Sequence, residues 1–487
     1  MELYQHRWTG ESDLDPFVVN DPADGSEITR VRPHSAEEID AAVTRVAGGQ
    51  AIWASRPPAE RARALHAVAD TLRAHAEEIA RLETRENGKP LDQARGDVFA
   101  CIGLFDFFAA AIVAEHGHAR HTPFSLDTTE LVPYGVVGAI IPFNWPPIHT
   151  AGKLAPALAA GNAVVLKPGE QAPLTPTRIC ELVAETLPDD VVSVVHGGIE
   201  QGQFLVTHPG IGKITFTGSP GAGREVARAA AVNHTPALME LGGKNCLIVC
   251  EDADLPSAAA WAVEGAFFNQ GEACTAASRI LVQESVHDAF MALLNEATGR
   301  LTVGAGTRPG THVGPMVTAA QRDRVLEYIG IGTSEGATVS ARASLPADPE
   351  LAGGYYVAPT VFDGVTRDMR VAREEIFGPV TAVLTFTDDA EAVEIANDTD
   401  YGLIAGVFSG DVSRAMAICG GLRVGMTLVN NYNRALTGNP FGGVKASGHG
   451  REHTLETLRE YGYARLLRVP NGKVPVPRWQ TIEGLVP

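Results

Sequence analysis

Read for the spacing of hydrophobic and polar positions, the chain changes texture twice. Up to about residue 115 it reads as helical. "SAEEIDAAVTRVAGGQAIWA" opens with Ser35 and Glu38 in capping-box spacing, in which each side chain reaches the other's backbone N–H. "PPAERARALHAVADTLRAHAEEIARLETREN" keeps apolar residues at helical period until Gly88-Lys89-Pro90 stops it. From about 131, short β-branched runs ("GVVGAII", "AVVLK", "VVSVV", "ITFTG") alternate with Ala-rich helical stretches ("TPTRICELVAETL", "GAGREVARAAAV"). That alternation predicts βαβ units and a parallel sheet. Near 240 the pattern restarts with "NCLIVC", a helix over about 254–268 and "SRILVQESV", and it runs to about 430 as a second α/β region. Two segments break the rhythm and read as extended: 116–134, "GHARHTPFSLDTTELVPYG", and the last ~35 residues, where the prolines of "LRVPNGKVPVPRW" forbid a helix. There is no internal repeat and no low-complexity tract.

Composition narrows the class. A chain of 487 residues is too long for one ordinary core, so two or three domains are expected. Its 39 basic against 58 acidic residues give a formal charge of −19, which repels nucleic-acid backbones and anionic membranes. The N-terminus, "MELYQHRWTGESDLDPF", lacks an apolar signal region. No uninterrupted apolar run approaches the ~18–20 residues that span a bilayer; "LAPALAAGNAVVL" at 154–166 comes nearest and is broken by Pro, Gly and Asn. Six cysteines (101, 180, 246, 250, 274, 419) without a CxxC pair make neither a disulfide framework nor a metal site, and Cys246 and Cys250 read as strand residues. The expectation is a reduced, cytoplasmic protein without a metal.

Several short stretches then carry chemistry. In "FNQGEACTAASR", Cys274 sits among small residues that leave room around its sulfur, as a nucleophile requires or as a helix start permits. "MELGGKN" ends an apolar strand on Glu240, a place where a carboxylate is either paired or held at a raised pKa, as a general base needs. In "PFNWPP", the amide of Asn144 is a neutral donor suited to an oxyanion, or a structural turn residue. "VVLKPGE" sets Lys167 and Glu170 directly after a buried strand, where they form a surface salt bridge or hydrogen-bond the two ribose hydroxyls of an adenosine. The strict GxGxxG fingerprint is absent. "GSPGAGREVARAA" after "KITFT" supplies glycines, the hydroxyl of Ser219 and a helix N-terminus, which can hold a diphosphate or serve only as a Gly-rich helix start.

Together and in this order, "PFNWPP", "GNAVVLKPGE", "FTGS", "MELGGKN", "NQGEACTAASR", "EEIFGPV", "NDTDYGL" and "PFGGVKASGHGRE" resemble the aldehyde dehydrogenase superfamily, of the non-phosphorylating, hydrolytic type, across residues 140 to 452. The resemblance implies an α/β fold: a Rossmann-like NAD-binding domain (1–116 and 134–242), an α/β catalytic domain (243–452), and a small β oligomerisation element (117–133 and 453–487) in a homodimer or homotetramer. By matching motif it makes Cys274 the nucleophile, Glu240 the general base, and Asn144 with the backbone N–H of Cys274 the oxyanion hole. Lys167 and Glu170 would hold the adenosine ribose, and Gly218 and Ser219 the diphosphate. Glu375 and Phe377 would position the nicotinamide ribose and ring, with Ile140, Ile141, Pro142, Phe143 and Leu241 along the cofactor channel. The implied reaction passes from thiohemiacetal to thioester to carboxylic acid. A carboxylate at 170 would repel a 2′-phosphate, so NAD is expected over NADP.

Departures from the family pattern bear on the substrate. Gly152 stands where several members carry a bulky aromatic, and Ala435 where an aromatic often lines the pocket, which predicts a wider entrance for an aromatic or branched aldehyde. Trp145, His149, Thr275, Arg434 and Phe441 remain as walls. His149 could hydrogen-bond a phenolic group, and Arg434 a carboxylate, as in a semialdehyde. A betaine-aldehyde-type enzyme, a CoA-acylating relative and a non-catalytic NAD-binding member are the rivals. An unrelated cysteine hydrolase would need a His beside the thiol, and the sequence places none near the catalytic motifs.

Overall fold

The computed structural model of the chain describes residues 14–432 and 436–472. Two sheets carry the molecule. The first orders Gly448–His449, Ala237–Leu241, Lys213–Gly218, Val136–Ile140, Ala163–Lys167 and Val192–Val194, all parallel except the short antiparallel Gly448–His449. The second orders Thr338–Arg342, Thr360–Asp363, Val380–Phe386, Arg279–Gln283, Cys246–Val249, Ile404–Phe408 and Met426–Val429, with only Thr338–Arg342 antiparallel. Val136–Ile140 and Ala163–Lys167 are buried at every position. That is why their sequences show continuous apolar runs rather than alternation: helices cover both faces of a parallel sheet. The mixed α/β class and the parallel sheets agree with the sequence reading. Gly448–His449, inside the segment assigned from sequence to the catalytic domain, hydrogen-bonds into the first sheet beside Met239 and Glu240.

Helices Ala36–Ala54, Pro58–Ala74, Ala76–Asn87 and Leu91–Ala114 precede the first parallel strand. The Ser35/Glu38 capping box forms as expected, with Ser35 N donating to Glu38 at 2.7 Å. Trp53 locks the first of these helices to the layer below, its Nε1–H donating to the Leu158 carbonyl at 2.8 Å. The helix Leu91–Ala114 is long and apolar enough to cross a bilayer by length and composition, and more than half of its apolar window is buried inside the protein. Asp92, Arg95, Asp97 and Asp106 interrupt its apolar run.

The helical reading of the first 115 residues needs one correction. Phe17–Asn20 and Glu27–Val31 form an antiparallel hairpin. Each strand is too short for its alternation to stand out, and the hairpin is stabilised at a distance: Val19 and Val31 pack against Leu82 and Leu174. From the two segments read as extended, Gly462–Pro470 pairs antiparallel with Ser125–Pro133, which also pairs with Ala119–His121, while Leu455–Glu460 is a short helix and corrects the extended reading there.

Gly88 ends the helix Ala76–Asn87 at φ +92°, and a Cβ there would stand 2.8 Å from Pro315 Cγ. Gly48 is exposed within Ala36–Ala54, and a Cβ there would meet nothing within 4 Å. Opposite outcomes follow. Gly88→Ala is expected to destabilise by about 1–2 kcal/mol through backbone strain and the clash, and Gly48→Ala to stabilise by about 0.5–1 kcal/mol. Thermal midpoints of the two variants against the parent check both signs.

Candidate active site

The C-terminal ends of the first sheet and the segments that lead into strands Arg279–Gln283, Val380–Phe386 and Ile404–Phe408 of the second face a common cleft of about 700 Å³, lined among others by Phe143, Asn144, Glu240, Cys274, Glu375 and Phe377. Ligands in open α/β sheets bind at such strand ends. Residues 130 positions apart in sequence are thus brought to one wall.

Cys274 reaches the cleft on a strained turn. Asn269, Gln270 and Gly271 hold positive φ in succession (53°, 57° and 69°) before the chain runs into Cys274. The left-handed region costs each non-glycine residue roughly 1–2 kcal/mol. Tertiary contacts hold it there: Asn269 Nδ2 donates to the Asn144 carbonyl at 2.9 Å, and Gly271 lies against the Gly378 backbone too closely to admit a Cβ. The Cys274 thiol is buried, and desolvation first, then the carboxylates of Glu240 and Glu375, push its pKa well up. As folded, the thiol keeps its proton.

Asn144 is 2 % exposed and is held through both its carbonyl and its side-chain amide. Its carbonyl accepts from Lys89 Nζ at 3.0 Å and from Asn269 Nδ2 at 2.9 Å. Its Nδ2 donates to the Glu272 carbonyl at 3.0 Å, and its Oδ1 lies 3.3 Å from His149 Nε2. Lys89 is itself fully buried, paired with Glu83 at 2.6 Å and Asp97 at 2.5 Å. The reading that no His stands near these motifs is therefore wrong: the first turn of helix Pro146–Ala160 folds His149 back onto Asn144. The imidazole meets the amide and not the thiol.

Glu240 ends the strand Ala237–Leu241 at 1 % exposure. Neither of its oxygens has a hydrogen bond from nitrogen or oxygen among the described residues, and the group they approach is the Cys274 thiol. Burial, and then the nearby Glu452 carboxylate, raise its pKa well above the carboxylate range, while the Lys153 ammonium opposes them. Lys153 and Glu452 form a buried ion pair.

A second cavity of about 410 Å³ lies beside the first sheet, lined by Ile140, Lys167, Glu170, Phe216 and Ala222 among others. Lys167 is 6 % exposed, and burial drops its pKa to about 8 against the pull of Glu170. Its one hydrogen bond runs to the adjacent Pro168 carbonyl, so most of its donor capacity faces the cavity. The Glu170 carboxylate sits where Gly198 has no side chain, 3.1 Å from the position of a Cβ. Gly218 and Ser219 line the main cleft, with Ser219 N-capping helix Pro220–Ala231 through Ala222 N at 3.2 Å. Glu375 accepts from Gly243 N at 2.9 Å, and burial raises its pKa to about 7. Phe377, at φ +60°, sets its ring edge-on to Phe143 with centroids 5.9 Å apart. Leu241 is buried over Gly223, Pro142 lines the main cleft, and Ile141 is core.

On the other side of the thiol, Trp145, Cys274 and Phe441 share an apolar cluster with partly buried Phe268. Thr275 and Trp145 line a small hollow with Glu264, Phe268 and Tyr432. Arg434 and Ala435 lie outside the described residues. Gly152 corrects an expectation. A Cβ there would meet His453 Nε2 at 3.2 Å, and the His453 ring stacks on Phe441 at 5.4 Å. The room left by glycine is filled by an imidazole from the C-terminal segment, so Gly152 does not widen the entrance.

The aldehyde dehydrogenase family model matches residues 8–466. The chain belongs to the aldehyde dehydrogenase family. It is 44 % identical over 484 residues to an aldehyde dehydrogenase of Didymella fabae, covering 99 % of this chain and 98 % of that one. It is 39 % identical over 467 residues to the betaine aldehyde dehydrogenase of Mesorhizobium japonicum, covering 95 % of each. Among solved structures, PnpE from Pseudomonas sp. WBC-3 superposes with a TM-score of 0.93 at 38 % identity over 96 % of each chain. PnpE has also been solved with nicotinamide adenine dinucleotide bound.

This aldehyde dehydrogenase places several buried polar residues around its site that the motifs did not single out: Lys89, Glu272, Lys153, Glu452 and His453. Lys89 stood in plain view as a helix stop, and a lysine between Gly and Pro gives no sign that it will be buried. Glu272 is fully buried, accepting from Val317 N at 3.3 Å, and burial raises its pKa to about 8. Because its folded pKa lies above the unfolded one, the folded state holds a proton that the unfolded state gives up. Stability is therefore lost as pH rises from about 4.5 to about 8. Glu272→Gln removes this dependence. The variant is expected to melt higher than the parent at pH 8, with the gap shrinking by up to about 1.4 kcal/mol per pH unit towards pH 5. Thermal unfolding across that range checks the sign.

Proposed function

We propose that this aldehyde dehydrogenase oxidises an aldehyde to the carboxylic acid with NAD, through a covalent adduct on Cys274. The observation that carries the reading is the meeting of the buried Cys274, Glu240 and Asn144 in one cleft. The residues present suit the cofactor: Lys167 has donors to spare, Glu170 is open to the cavity, and helix Pro220–Ala231 directs its N-terminus to where a diphosphate would lie. Lys167 and Glu170 would take the adenosine ribose, Gly218 and Ser219 the diphosphate, and Glu375 and Phe377 the nicotinamide end. NAD, when bound, would supply the hydride acceptor.

The chain's own residues do the rest. The thiol passes its proton towards Glu240, and the sulfur attacks the aldehyde carbon. Asn144 Nδ2 has one hydrogen committed to Glu272 and one free, and with the Cys274 N–H it holds the oxyanion. The small neighbours Ala273, Thr275 and Ala276 admit the tetrahedral centre. After oxidation leaves a thioester and Glu240 has released the thiol's proton to solvent, the carboxylate takes a proton from a water that attacks the thioester, freeing the acid and the Cys274 thiolate. The raised pKa of Glu240 suits that exchange, and the Lys153–Glu452 pair sets its electrostatic surroundings. Aromatic walls at Trp145, Phe268 and Phe441 favour a bulky or aromatic aldehyde, and they also suit a quaternary ammonium aldehyde of the kind named for the Mesorhizobium japonicum relative. We place the homo-oligomer contact along Gly462–Pro470, which exposes Leu466, Leu467 and Val469, and assign the enzyme to the cytoplasm on its six free cysteines.

Glu240→Gln should keep a single-turnover burst of NADH while steady-state turnover drops by roughly 100-fold or more. An unchanged steady-state rate would remove Glu240 from the role. Comparison of kcat/KM for NAD and NADP is expected to favour NAD, since Glu170 repels a 2′-phosphate, and Glu170→Gln should narrow the gap. Screening NADH formation across aliphatic, aromatic, carboxy- and trimethylammonio-aldehydes is expected to rank the aromatic or trimethylammonio compounds first.

A further inference from the structure

Asn144 can hold an oxyanion only if its amide nitrogen, not its oxygen, faces the reacting carbon. An amide can flip, so something must fix it. The carbonyl of Glu272 stands 3.0 Å from one amide atom, and a carbonyl cannot donate, so that atom is Nδ2. The other atom is then Oδ1, which cannot donate either. His149 Nε2, at 3.3 Å from it, must carry the hydrogen. The ring is 5 % exposed, on the first turn of the helix that follows Asn144, with the Trp145 ring 6.3 Å away.

We propose that His149 is a positioning residue of the oxyanion hole: its Nε2–H locks the Asn144 amide with the NH₂ towards Cys274 and polarises it. His149 thus acts through Asn144 and leaves the substrate untouched, in contrast to its sequence-based place as a wall that recognises a phenolic group. A neutral imidazole with one N–H is the form the geometry needs. Burial, together with the positive surroundings of Lys153, His453 and Lys89, holds His149 well below its usual pKa, which favours that form. The carbonyl of the same residue is already fixed by Lys89 and Asn269, so backbone and side chain of Asn144 are each held from behind. Polarisation follows from the chain of donors: an N–H on the amide oxygen draws charge from the nitrogen and strengthens its remaining N–H.

The inference rests on Asn144 being the oxyanion donor, and the experiment separates the two. His149→Met, His149→Gln, Asn144→Ala and the double variant Asn144→Ala/His149→Met are compared on propanal, benzaldehyde and 4-hydroxybenzaldehyde, with the NAD Kd and thermal midpoint as controls of fold. His149→Met should lower kcat roughly tenfold on all three aldehydes alike, as loss of one buried hydrogen bond implies, with KM and the NAD Kd little changed. His149→Gln, which can donate from its amide, should recover to within about threefold of the parent. In the Asn144→Ala background, His149→Met should add almost nothing, because a residue acting through Asn144 has nothing left to act on. Loss confined to 4-hydroxybenzaldehyde, or appearing in KM alone, would make His149 a substrate wall and overturn the proposal. Additive losses in the double variant would overturn it as well. If Asn144→Ala itself keeps full kcat, it is the oxyanion reading of Asn144 that fails.

Discussion

The carbonyl oxygen of Asn144 accepts two buried donors, the Lys89 ammonium and the Asn269 amide, and so joins the end of the first sheet to the turn that carries Cys274. Lys89 comes from the helical layer, Asn269 from the turn that carries the nucleophile, and Asn144 from the end of a strand of the first sheet. One atom therefore ties three layers together. A buried ammonium is costly unless it is paired, and Glu83 and Asp97 pair it on the far side. Asn87 adds a bond to the neighbouring carbonyl, Phe143 O, at 2.9 Å. Lys89, Asn269 and Asn87 thus hold the peptide oxygens of residues 143 and 144 from behind, and the Asn144 side chain lines the cleft.

The same dryness governs the acids. Glu83, Glu86, Glu240, Glu272 and Glu375 are all pushed up by desolvation, whatever partners they have. For Glu86 and Glu272 this is structural: a neutral or half-neutral carboxyl bonded to backbone N–H groups, such as Leu174 N at 2.7 Å, closes a loop. For Glu240 the same physics leaves a base without a strong partner, ready to exchange a proton. Sulfur and carboxylate both resist ionisation when dry, so the pair carries at most one negative charge between them. The strain at Asn269 and Gln270 belongs with this arrangement, since it presents the sulfur at the seam instead of burying it in the core.

Local pattern made the parallel strands, the capping box at Ser35 and the ordered motifs legible, because each depends on neighbours within a few residues. What stayed hidden joins residues far apart. Lys153 and Glu452 are 299 positions from each other, and nothing in either neighbourhood marks them as a buried pair. Lys89 looked like punctuation between Gly and Pro. The hairpin Phe17–Asn20 and Glu27–Val31 owes its place to side chains from helices it does not adjoin in sequence. Gly152 shows the opposite failure: a missing side chain was legible, but not the ring that takes its volume.

That substitution of volume links selection to turnover. The segment from Phe441 to His453 forms one small unit, closed by the bridge between Phe441 and Glu452 and by Gly438 N donating to the His453 carbonyl at 2.7 Å. Within it Phe441 contributes an apolar wall, Gly448 pairs with Glu240, Glu452 meets Lys153, and His453 fills the slot beside Gly152. The strand that holds the base and the ring that closes the inner wall are therefore fixed to the same short piece of chain. A ring supplied from helix Pro146–Ala160 would have left these tasks on separate elements. Here, any change in the wall that shifts His453 also shifts the carboxylate of Glu452 next to it, and with that the field in which Glu240 takes its proton.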